Sequence, residues 1–146
     1  MKQGTIKIEK DGSFFALLPK GTYIIYQLDW WDPWAGMHWL VPKIAFRVVD
    51  GGPQLYYLGT LSVDIKAKRD IIGGLRVKKV AIDIEDEEHK AMEVFHNRYP
   101  DQEIKVVKAL MIHDPKIPGI EELENKRLLQ DVLNSLYFGV MPMLTN

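Results

Sequence analysis

The sequence predicts a mainly β domain, a sandwich or small barrel, with one helix set into it and an amphipathic helix at its C-terminal end. Three observations carry that prediction. Short segments alternate apolar and polar residues, as strands with one covered face do. Turn signals separate them at short intervals: Asp11-Gly12, Pro19-Lys20-Gly21, Asp50-Gly51-Gly52-Pro53 and Ile72-Gly73-Gly74. Helical spacing of apolar residues enters only late in the chain.

Residues 5–10 alternate Ile6 and Ile8 with Thr5, Lys7 and Glu9. Asp11-Gly12 turns this strand, and residues 14–18 return, giving a first hairpin. Pro19 presets φ for a second turn that Gly21 completes. A strand follows over residues 22–31. Ile24, Tyr26, Leu28 and Trp30 share its apolar face, which is expected on the core. Tyr23, Ile25, Gln27, Asp29 and Trp31 share the other. Asp32-Pro33 and Ala35-Gly36 stop it, leaving a loop that completes the set of four tryptophans, Trp30, Trp31, Trp34 and Trp39.

Residues 43–49 place Ile44, Phe46 and Val48 on one face and Lys43 and Arg47 on the other. Residues 55–58 form a further strand, and Gly59 marks a bulge before Leu61, Val63 and Ile65 resume the alternation. Leu75 and Val77 give way to Val80, Ile82 and Ile84; that change of parity predicts a second bulge at Lys78 or Lys79. Asp83 or Asp86 can cap a helix running to about Tyr99, with Met92, Phe95 and Tyr99 as its stripe. Pro100 ends it. Residues 103–112 read as a strand and residues 113–119 as a Pro-rich linker. Residues 121–138 then form an amphipathic helix with Leu129, Val132, Leu133 and Leu136 on one side. The expected division is a β-sandwich domain over residues 1–114, and a linker with its helix over residues 115–146.

Composition narrows the function classes. A chain of 146 residues buries roughly 68–70% of its unfolded surface, so it needs no metal or disulfide staple. A formal net charge of −1 gives no reason to expect a nucleic-acid partner. The absence of cysteine removes thiol catalysis, Cys-ligated zinc and iron–sulfur chemistry. No apolar run approaches about 18 residues, so no transmembrane segment is expected. The first residues lead into strand-like sequence, and no signal peptide is expected there.

Phe15-Ala16-Leu17-Leu18-Pro19-Lys20-Gly21-Thr22-Tyr23-Ile24-Ile25 resembles the strand–turn–strand of transthyretin-like, or carboxypeptidase-regulatory-like, β-sandwich modules. Tyr56-Tyr57-Leu58-Gly59-Thr60-Leu61 is similar to a strand of uncharacterised bacterial envelope lipoproteins of that shape. The resemblance spans roughly residues 14–65. It implies a non-catalytic binding or structural module and points to the cell envelope or periplasm. The lipidated cysteine of such lipoproteins has no counterpart here, and the sequence leaves the cytoplasm open.

The tryptophan loop is the candidate site: Asp29, Trp30, Trp31, Asp32, Trp34, His38 and Trp39. Exposed indoles make a platform for sugar rings or a protein partner, and the carboxylates can bond hydroxyls. The competing reading is a hydrophobic plug closing one end of the sandwich. Asp29, Asp32 and His38 are also the parts of a carbohydrate-active hydrolase, although their spacing matches no such motif. His89 with Glu85, Glu93 and His96 can be arranged on one helix face, but they read as solvated ion-pairing groups; no metal and no cofactor are expected. Lys66, Lys68, Arg69, Arg76, Lys78 and Lys79 gather on one hairpin, where Asp83, Glu85, Asp86, Glu87 and Glu88 are expected to neutralise them. The partners expected are a carbohydrate or a protein, and the C-terminal stripe is expected to pack either on its own sheet or on a second copy, in a homodimer through residues 121–138.

Overall fold

The anchor of the fold is the segment Ile44-Ala45-Phe46-Arg47-Val48. The computed structural model describes residues 4–49 and 54–119. Among them the chain runs through β1 (Gly21–Ile25), β2 (Leu28–Asp32), β3 (Gly36–Leu40), β4 (Ile44–Val48), β5 (Gln54–Tyr57) and β6 (Thr60–Arg69). It continues through β7 (Leu75–Glu85), α1 (Glu88–Arg98), β8 (Lys105–Lys108) and β9 (Ile112–His113). The class is mainly strand with one helix, arranged as several small sheets. No helix among the described residues is long and apolar enough to cross a membrane.

β4 is the middle strand of the sheet β1-β4-β9, antiparallel to both neighbours. Ile44, Phe46 and Val48 form the main core with Met111. Tyr23, Ile25, Leu61, Ile82 and Ile84 pack against it. Tyr23 lies opposite Phe46 and stacks on it at 5.2 Å between ring centres. Each fully buried aliphatic or aromatic side chain here contributes roughly 1.5–3 kcal/mol. On the other face Ala45 and Ile117 are buried together, with Ile24 beside them. The segment read as a linker thus lies on the sheet: Ile117 is 1% exposed, and its carbonyl accepts a hydrogen bond from Lys43 Nζ at 2.8 Å. His113 and Asp114 bond to the backbone at Pro42 and Lys43.

Several expectations need correcting. The strand expected over residues 22–31 is two strands, because the chain leaves β4 after Ile25 and pairs with β3 from Leu28 onward. The main core takes Tyr23 and Ile25, and Ile24 joins the smaller cluster. Both faces of β1 are apolar, so alternation alone could not choose between them. The first hairpin reduces to its turn. Glu9 and Ser13 close it, and Asp11 accepts bonds from the Ser13 amide and hydroxyl at 2.9 and 2.6 Å. No ladder follows, and Phe15 instead packs on α1 between Phe95 and Tyr99. The strand over residues 103–112 divides into β8 and β9, and β8 runs parallel to β5. The 50–53 turn and the helix over residues 121–138 lie outside the described residues.

Other expectations hold. The β6–β7 register shifts next to Lys66, leaving Lys78 as the extra residue of a bulge. α1 ends before Pro100, with Phe95 buried on its stripe. At its start the Asp86 carboxylate accepts the Glu88 N–H, and a tyrosine joins it. The Tyr57 hydroxyl accepts the Glu87 N–H at 2.6 Å. Lys108 ties the same end down, reaching Asp86 at 2.6 Å and Glu88 at 2.9 Å.

Gly59 is where the chain passes from β5 to β6, with φ at +95°. A Cβ there would stand 2.8 Å from Ile84 Cγ2. Gly59→Ala is therefore expected to cost about 2–4 kcal/mol through left-handed strain and overpacking. Ile44→Ala is expected to cost about 2–5 kcal/mol through the cavity it leaves. Urea unfolding of the two variants measures both.

Candidate functional site

The tryptophans sit on a hairpin rather than in a loop. Gly36, read as part of a strand-stopping turn, instead opens β3, which pairs with β2. The turn between them is built by Asp32. Its Oδ1 accepts the backbone N–H of Trp34 at 2.7 Å and of Ala35 at 2.9 Å. This is the local bonding that makes aspartate a turn residue. The same two bonds, reinforced by the nearby Arg69 and His38, hold the Asp32 carboxyl below the usual carboxylate range. Gly36, at φ +81°, closes the turn.

The register sorts the side chains onto two faces. Leu28, Trp30 and Asp32 lie opposite Leu40, His38 and Gly36 on the half-buried face. There Trp30 stacks on His38, ring centres 5.4 Å apart. His38 Nε2 is shielded from solvent and has no hydrogen-bond partner among the described residues. Asp29 and Trp31 lie opposite Trp39 and Met37 on the other face, which is open. Trp31 is 65% exposed, Met37 69% and Trp39 64%, and Trp34 at the turn reaches 81%. Asp29 Oδ1 accepts a bond from the Gln27 amide at 2.7 Å.

This placement decides which groups meet. Trp31, opposite Met37, and Trp39, opposite Asp29, share the open face, an apolar strip bearing one carboxylate. Asp29 and Asp32 are an odd number of residues apart, so they fall on opposite faces. His38 shares a face with Asp32, whose Oδ1 is engaged by the turn. Trp30 belongs to the inner stack and not to the open strip. Met37 is the residue that reading the sequence missed. The period of two across Met37, His38, Trp39 and Leu40 was its signal, hidden because Ala35-Gly36 was read as a stop.

Comparison with protein-family models, curated proteins and solved structures finds no match.

The remaining titratable groups form no competing centre. No group of three His, Asp or Glu side chains among the described residues is placed to hold a metal ion. His89, Glu93 and His96 lie exposed on α1.

The Asp32 turn carries a pH signature. Its folded pKa lies below the unfolded value, so its stabilisation is complete above the ordinary aspartate range and is lost as pH falls through the folded value. The melting temperature of the wild type should exceed that of Asp32→Ala at neutral pH. That gap should narrow below about pH 4 and close in stronger acid. A gap independent of pH would mean that the charged carboxylate is not what holds the turn.

Proposed function

We propose that the chain is a non-catalytic binding module whose contact surface is the open face of the β2–β3 hairpin. The observation carrying this reading is the exposure of Trp31, Met37 and Trp39 side by side on a face that no other described strand covers. Large apolar side chains cost free energy in water, and monomers seldom leave them contiguous without a use. Indoles suit sugar rings and protein surfaces alike, and Asp29 beside them accepts hydrogen bonds from hydroxyl or amide groups. A carbohydrate or a protein partner fits this chemistry. The separation of Asp29 from Asp32 weighs against hydrolysis, which needs two carboxyl groups flanking one bond.

A transthyretin-like sandwich and a cell-envelope setting remain part of the proposal, supported by the motif around Pro19-Lys20-Gly21 and by the predominance of strand. A homodimer through residues 121–138 is the companion proposal. It rests on the apolar stripe of Leu129, Val132, Leu133 and Leu136.

The test uses intrinsic tryptophan fluorescence, titrated with soluble oligosaccharides and with purified peptidoglycan fragments, alongside cross-linking to a cell-envelope extract. Binding should shift the emission and protect the indoles from acrylamide. Trp31→Ala and Trp39→Ala should each abolish that response while changing stability by no more than about 0.5 kcal/mol, as exposed positions do. A loss of about 3–5 kcal/mol in either variant would instead identify a structural plug.

A further inference from the structure

The long β6–β7 hairpin carries a second surface, independent of whatever the tryptophan face binds. Its distal half holds Lys66, Lys68, Arg69, Arg76, Lys78 and Lys79. The register sets Lys66 opposite Lys79 and Lys68 opposite Arg76. Two successive like-charge pairs on one face are destabilising, so the arrangement favours an external anion. Most of the acidic residues expected to neutralise them lie elsewhere. Glu85 pairs with Thr60 at the other end of the hairpin, about 20 Å from Lys79 at six residues' rise. That exceeds the screening length of roughly 8 Å at physiological salt. Asp86 and Glu88 are already engaged by Lys108. The carboxylates around the cations are Asp64, opposite Ala81 and next to the Lys66–Lys79 pair, Asp83 at the next pair along that face, Asp70 at the turn, and Asp32, on which Arg69 acts.

The turn itself is the second observation. Asp70 and Gly74 bond across it, and Gly73 supplies the positive φ at +86°. Nothing in that geometry calls for apolar residues, yet Ile71 and Ile72 fill it and stand wholly in solvent, at 107% and 97% exposure. A basic ribbon and an aliphatic tip combine charge attraction with shallow insertion.

We propose that the distal half of the β6–β7 hairpin docks on an anionic lipid surface, with Ile71 and Ile72 entering the headgroup region and Lys66, Lys68, Arg76 and Lys79 facing lipid phosphates. A nucleic acid would also meet the cations. However, no aromatic stands within the basic strip to stack bases, and aliphatic tip residues gain most by leaving water for lipid.

The test is co-sedimentation of the full chain with vesicles of phosphatidylcholine alone and with about one-third phosphatidylglycerol added. Binding should require the anionic lipid and weaken as salt rises toward about 0.5 M. K68Q/R76Q should reduce partitioning roughly thirtyfold, at about fivefold per cation. I71S/I72S should reduce it by roughly tenfold or more. Both variants should keep the wild-type melting temperature or exceed it, since both sites are exposed and one relieves repulsion. The proposal is overturned if the wild type ignores anionic vesicles or binds neutral ones equally well. Lipid binding indifferent to I71S/I72S overturns it as well. So does tighter binding to a mixed-sequence oligonucleotide than to the vesicles, which assigns the strip to nucleic acid.

Discussion

Coverage of β4 on both faces is the constraint on which the rest of the structure depends. Its alternation of Ile44, Phe46 and Val48 suits a strand with one covered face, and Arg47 does face solvent. Ala45 is nevertheless fully buried, because Ile24 and Ile117 close over it from the opposite side. A small residue in the centre of the strand lets that second layer approach. The two edges of β4 are then taken by β1 and β9, which brings together segments far apart in the sequence. Once Ile117 is seated, residues 113–119 have little freedom. Lys43, in the left-handed region at φ +54°, bonds the Ile117 carbonyl and completes the clasp.

What the sequence made legible was local. β4, the Asp11-Gly12 turn, the Gly73 turn and the bulge at Lys78 all follow from residue type and parity within a few positions. The helix ending before Pro100 belongs to the same group. What stayed hidden was pairing. The parallel match of β5 with β8 joins residues about fifty positions apart, and nothing in either segment names its partner. The break at Tyr26-Gln27 was invisible because both halves of that stretch favour strand. What ends β1 is a change of neighbour, not a breaker residue. The Tyr57 contact at the start of α1 was missed for a similar reason, since it comes from another strand. At the candidate site, all seven predicted residues lie on one hairpin or its turn, but the register split them between two faces. Trp30 turned inward with His38, and Met37 took its place in the open strip.

The molecule thus separates stability from presentation. The apolar residues around β4 hold the sheet, while two hairpins reach away from it carrying side chains that the core does not need. A two-stranded hairpin is marginal by itself. The β2–β3 hairpin is steadied by its half-buried face and by the Asp32 turn. The proximal part of β6–β7 is steadied by Leu61, Ile82 and Ile84 against the core. Their open faces are consequently free to vary in chemistry without disturbing the fold, and one is aromatic where the other is cationic.

Amide hydrogen exchange resolved by mass spectrometry tests this division most directly. Peptides covering Ile44–Val48 should exchange only through global unfolding, while those covering Gly36–Leu40 and the turn at residues 70–74 should exchange through local opening, orders of magnitude sooner. Equal protection of the tryptophan hairpin and β4 would contradict the account, because the indoles would then belong to the core rather than to a presented surface.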